Sequence, residues 1–209
     1  MTFQDDFKEA LAQLPDKEKD KLILRLLRKD LDLANKLFFK LVETRSVDSI
    51  RAELKSSLET SLNHMIQNYF SPGYLLMDIR CVSGEINEHV KITGDKYGEI
   101  SLNLFMLNKV LSKLGKKAMS EIPAKYYKLV IYVIVRVFKL MILVKKLHED
   151  LHIEFRDDFE LLGKHIANND ILMKWCIYHG LNVNWLLEYD IPDDIAMIQK
   201  DLKERGYLK

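Results

Sequence analysis

Within this 209-residue chain, the string His148-Glu149-Asp150-Leu151-His152 satisfies H-E-x-x-H and is the one catalytic-looking motif. On an α-helix, histidines four positions apart share a face. Both imidazoles can then reach one Zn²⁺, and the intervening Glu can take a proton from metal-bound water. The chemistry would be metal-dependent hydrolysis, with zinc as cofactor, His148 and His152 as metal ligands and Glu149 as the catalytic proton acceptor. The surroundings speak against it. Asp150 sets a charge beside the motif, and Phe155 and Asp158 stand where a metzincin carries Gly and His. No Glu occurs between Glu160 and Glu188 to serve as a downstream third ligand. Glu149-x-x-His152 also matches half of a di-iron bundle motif, but that chemistry needs a second copy and the chain has none. The preferred reading therefore takes no cofactor: His148 and His152 continue the row Ile134, Phe138, Met141 and Lys145 and close the end of a core helix.

The second chemistry-bearing pattern is a basic stripe. In the segment 125–147 (KYYKLVIYVIVRVFKLMILVKKL), Lys125, Lys128, Tyr132, Arg136, Lys139 and Lys146 fall in one sector of a helical wheel, and nearly all else is aliphatic or aromatic. Such a helix is buried on most sides. Its cations, with Lys113, Lys116 and Lys117 upstream, could meet an acidic protein partner or a phosphate backbone, or lie as a solvated edge over apolar surface. The best-placed partner-binding residues are Lys125, Lys128, Tyr132, Arg136 and Lys139. From Lys109 to Lys146 there are ten Lys or Arg against the single acid Glu121, whereas Glu149 to Glu160 holds six acids against Arg156. The formal net charge is nevertheless only +1, which speaks against coating of nucleic acid and for a protein partner or self-association. A small-molecule site is the weaker expectation. Trp175, Tyr178, Trp185, Leu186 and Leu187 form a second apolar concentration, suited to core or to self-association.

The elements that must carry these residues are helical. Apolar positions step by three or four through Leu22–Leu27, Leu33–Leu41, Ile50–Phe70 and Leu75–Val90, and Pro15, Asp16, Ser46 or Asp48, and Pro72 supply starts. The expectation is an all-α fold: a helical bundle, or a curved array of antiparallel helical hairpins, around a buried central helix at about 125–152. Residues 89–104 have an alternative as a small β-hairpin about Thr93–Gly98. Ser101 would then cap a helix ended by Gly115. Three further helical patterns lie at Phe155–Ala167, Ile171–His179 and just before Leu187, and a last one starts at Pro192 and Asp193. The domain reading is one all-α domain over 1–209, within which 1–70 can stand as an N-terminal helical subdomain.

Composition excludes other classes. Hydrophobic residues make up 48% and charged residues 30%, as in an ordinary globular chain. Cys81 and Cys176 form no disulfide framework, so a reducing cytoplasm is the expected compartment. The longest uncharged run in 125–147, Leu129 to Val135, falls far short of the roughly 18 apolar residues a membrane span needs. There is no P-loop, no dinucleotide glycine motif and no Gly-x-Ser-x-Gly, so ATP, dinucleotide and α/β-hydrolase chemistry are disfavoured.

Overall fold

The computed structural model describes residues 3–118 and 123–208 and is all-α, with eleven α-helices and no strand among the described residues. The chain divides into two compact units. One ends at Arg45 and groups with the short Lys91–Thr93 stretch; the other holds Ser46–Val90 and Gly94 onward. The first unit carries α1 (Asp5–Ala12), α2 (Asp16–Leu27) and α3 (Leu31–Leu41), and none of these helices buries a residue. Asp30 caps α3 through the Leu33 N–H. Leu24, Leu26, Phe38 and Leu41, read as an inward face, are all exposed.

The second unit begins with α4 (Val47–Gln67), capped by Ser46, and α5 (Pro72–Thr93), capped by Ser71 with Pro72 in its first turn. The hub is α6 (Lys96–Ala118). It buries Ile100, Leu102, Leu104, Met106, Leu107, Val110, Leu111 and Leu114, and packs on α4, α7 and α8. A helix that is apolar on most sides has to be enclosed, and here that role is shared with α7 (Pro123–Val144), where Val130, Ile134, Val137, Phe138, Leu140 and Met141 are fully buried. A 3₁₀ segment (Glu149–Phe155) leads to α8 (Arg156–Ala167), α9 (Asp170–Tyr178), the short α10 (Asn184–Leu187) and α11 (Ile195–Glu204). α8 packs on α9 and α10, and α11 packs on α7. Gly163 permits the α8–α10 approach, since a Cβ there would lie 3.0 Å from the Leu187 side chain.

Three expectations are corrected. The central helix does not run through His152: α7 stops at Val144, because Glu149 and Asp150 suit the positive start of a new helix and disfavour the negative end of an old one. The hairpin at 89–104 does not form. Gly94, in the left-handed region at φ 74°, ends α5 with its N–H on the Val90 carbonyl, and Asp95 opens α6 by accepting the Gly98 N–H at 2.8 Å. α6 thus begins five residues before Ser101 and runs on past Gly115. α4 also packs on α6.

Asp95 also joins α4 and α5 to that helix start. Its carboxylate takes Arg51 Nε at 2.6 Å and Arg51 Nη2 at 2.8 Å, and lies 3.0 Å from His89 Nε2. At Gly98 a Cβ would stand 2.1 Å from Asp95 Oδ2 and 2.9 Å from Arg51 Nε. Because that carboxylate is held from three directions, it cannot yield. Gly98→Ala is therefore expected to cost about 1–3 kcal/mol by overpacking, reversing the gain of about 1 kcal/mol that Ala normally brings inside a helix. A lowered urea midpoint at unchanged m-value is the measurement.

Candidate functional site

The H-E-x-x-H string folds as the start of the 3₁₀ segment, not on an α-helix. With three residues per turn, positions i and i+4 point about 120° apart, so the shared face on which the zinc reading rests is not formed. His148 is exposed; its Nδ1 accepts the Asp150 N–H and lies 3.2 Å from the Asp150 carboxylate. His152 Nε2 stands 3.2 Å from the Leu147 carbonyl oxygen. Glu149 is exposed. Among the described residues no group of three or more His, Cys, Asp or Glu side chains is gathered as a metal ion would require.

The basic stripe holds on α7 for five of its six residues: Lys125 and Lys128 are exposed, Tyr132, Arg136 and Lys139 are half-buried, and Lys146 lies past the helix end at Val144. Tertiary contacts divide it. Lys139 is spent on Glu99 of α6 at 2.6 Å, and Lys145 beyond the helix end pairs with Asp193 at 2.7 Å. Arg136 Nη2 donates to the Tyr132 hydroxyl at 2.8 Å, the Tyr132 and Ser83 hydroxyls are 2.5 Å apart, and Ser83 lies 3.7 Å from Met106 Sδ. A guanidinium only donates and a thioether only accepts. The chain therefore runs one way: Arg136 to Tyr132, Tyr132 to Ser83, Ser83 to the Met106 sulfur. It links the surface of α7 through α5 into the core.

Beside that chain lies a groove of about 290 Å³ between α5 and α7, lined by Arg80, Tyr127, Lys128, Ile131, Tyr132 and Val135. Arg80 is exposed on α5 and was not legible as part of the stripe, since it lies 48 positions before Lys128 in a different helix. Arg80, Lys128 and Arg136 have no carboxylate partner among the described residues. The groove is thus electropositive at its edge and apolar along its floor.

The other aromatic concentration is split between core and surface. Trp175 and Trp185 pack against the core, Leu186 is buried and Tyr178 is exposed. Trp175 stacks on His179 at 5.7 Å and meets Tyr127 edge-on at 5.1 Å, and burial holds the His179 imidazole below its ordinary pKa range. These contacts join α9 to α7. No helix among the described residues is long and apolar enough to cross a membrane. Compared with protein-family models, curated proteins and solved structures, the chain matches none.

Proposed function

We propose that this protein is a non-enzymatic helical interaction module whose α5–α7 groove receives an acidic segment of a protein partner. The observation that supports it is the set of three cations without a carboxylate partner among the described residues, Arg80, Lys128 and Arg136, placed around Tyr127, Tyr132, Ile131 and Val135. Arg and Tyr beside aliphatic surface is the composition of interface hot spots. Unpaired positive charge on a partly enclosed face steers a negative partner toward it. An acidic segment carrying one large apolar side chain would match both features, the carboxylates at the rim and the apolar group on the floor.

The test uses a fluorescent peptide in which Asp and Glu flank a Phe, against the same peptide with Lys in place of the acids. The acidic peptide is expected to bind the full chain and the basic one not to bind. Arg80→Glu with Lys128→Glu is expected to weaken binding at least about tenfold, mostly through a slower association rate that also falls with salt. Both residues are exposed, so the fold is retained. Equal binding of the two peptides, or full affinity in the charge-reversed variant, contradicts the proposal.

A further inference from the structure

The N-terminal unit has more large apolar side chains than it covers. α1, α2 and α3 bury no residue, and along α2, α3 and the α3 cap Ile23, Leu24, Leu26, Leu31, Phe38, Leu41 and Val42 are all exposed. A unit that ends at Arg45 is near the size, about 40 residues, below which a chain rarely completes a core alone. These side chains leave on the order of 700 Å² of apolar surface in water per copy, close to the about 800 Å² that one partner gives to a standard interface. The spacing on α3 indicates what kind of surface fits. Leu31, Ala34, Phe38 and Leu41 follow one another at steps of three, four and three, the a/d repeat by which one helix seats its knobs in the holes of another. Leu31 is 71%, Phe38 61% and Leu41 74% exposed, so among the described residues the stripe is uncovered. A parallel copy of α3 would set Phe38 on Phe38 and Ala34 on Ala34, one layer too full and the next too empty. A reversed copy sets Phe38 on Ala34 and Leu31 on Leu41, so that large meets small in the inner layers. The charges agree, because α3 carries Asp32 in its first turn and Lys40 in its last. Reversal brings acidic end beside basic end and opposes the helix dipoles. Asp32 already meets Lys91 within the unit, so charge sets the direction and apolar packing supplies the affinity.

We propose that this face pairs with the same face of a second copy of the chain, the two α3 helices running antiparallel about a two-fold axis. Phe38 of each copy sits on Ala34 of the other, and Leu31 of each lies against Leu41 of the other. The interface is isologous, so one stripe serves as both surfaces and assembly closes at two copies. An unrelated amphipathic helix matches the stripe in hydrophobicity alone. The match of large to small under reversal is a property of this sequence against itself, and it singles out the second copy. Ile23, Leu24 and Leu26 of α2, which packs on α3, add apolar area to the same unit. The pairing face shares no residue with the α5–α7 groove, so the two surfaces are testable apart.

The test is sedimentation equilibrium of the full chain over about a thousandfold range of concentration, since the population of a homodimer depends on protomer concentration. Wild type is expected to pass from the 24.6 kDa monomer to twice that mass. Two double variants remove the same apolar area from exposed positions: Leu31→Glu with Leu41→Glu, and Leu31→Glu with Leu41→Lys. In the antiparallel pair the first sets like charges opposite each other at both ends, and it is expected to weaken dimerisation at least about a hundredfold. The second sets opposite charges there and is expected to dimerise at least about tenfold more tightly than the first. Far-UV circular dichroism of both is expected to match wild type, as the substituted positions are exposed. A wild type that stays monomeric at every concentration overturns the proposal, whether lipid vesicles, another protein or the rest of the chain then takes up the face. Undiminished dimerisation in the two-glutamate variant overturns this face as the interface, and equal affinity of the two double variants overturns the antiparallel pairing.

Discussion

Ile134→Asp is expected to leave the protein without a cooperative unfolding transition, or to drive it into the insoluble fraction. Ile134 is fully buried midway along α7, with Val130, Val137 and Phe138 buried on the same helix. A carboxylate there has no cation to meet, so it must either remain an unpaired buried charge or take up a proton. Added to the lost apolar burial, the cost exceeds about 4 kcal/mol, against a total stability of about 5–15 kcal/mol for a domain. The check is far-UV circular dichroism through a thermal ramp, beside Lys128→Asp as an exposed control on the same helix. A soluble Ile134→Asp variant with a sharp transition contradicts the burial of this face.

Asp95→Ala is expected to lower stability by about 3–5 kcal/mol, the range for removing one partner of a buried ion pair. The Asp95 side chain is 3% exposed, and its loss removes the buried carboxylate that Arg51 and His89 share, so that Arg51 keeps only the exposed Asp48 carboxylate at 3.0 Å, and removes the cap of α6 at once. Burial by itself would raise the Asp95 pKa. The hydrogen bonds from Arg51, His89 and the Gly98 N–H outweigh it, and the carboxyl is held below its ordinary value. A carboxylate depressed in the folded state contributes stability that is fully present above the unfolded value, about 3.9, and is lost as pH falls through the folded value. Wild-type unfolding free energy is therefore expected to fall with decreasing pH below about 4, and more steeply than in Asp95→Asn, which has no carboxyl to titrate. Urea titrations at several acidic pH values measure both slopes. Identical slopes in the two proteins contradict the assignment.

Several elements were legible before any contact was known. The start of α4 near Ser46 or Asp48 and of α5 at Pro72 each rest on a cap or breaker within a few residues of the boundary. The stripe on α7 was equally visible, since one wheel places Lys125, Lys128, Tyr132, Arg136 and Lys139 together. The segment 93–98 was ambiguous for a physical reason. Gly94-Asp95 can serve a hairpin turn or a paired helix C-cap and N-cap, and the residues deciding between them, Arg51 and His89, lie outside any local window. The extension of α7 through His152 erred because apolar periodicity continued to Leu147 while the charges that end a helix followed only afterwards.

Helix type, helix faces and the basic character of α7 are local properties of the chain, because a period of 3.6 residues and a capping side chain act over a few positions. Which cations remain available is not local. Lys139 is consumed by Glu99, and Arg80 joins Lys128 only because α5 comes to flank α7. Likewise the sequence places Lys113, Lys116 and His165 in two separate helical segments, and only the packing of α6 on α8 brings them to the border of one cavity. Pairing and enclosure depend on distances across the fold, which residues 44 to 50 positions apart, such as Arg51 with Asp95 or Asn108 with Asp158, acquire only when the helices pack.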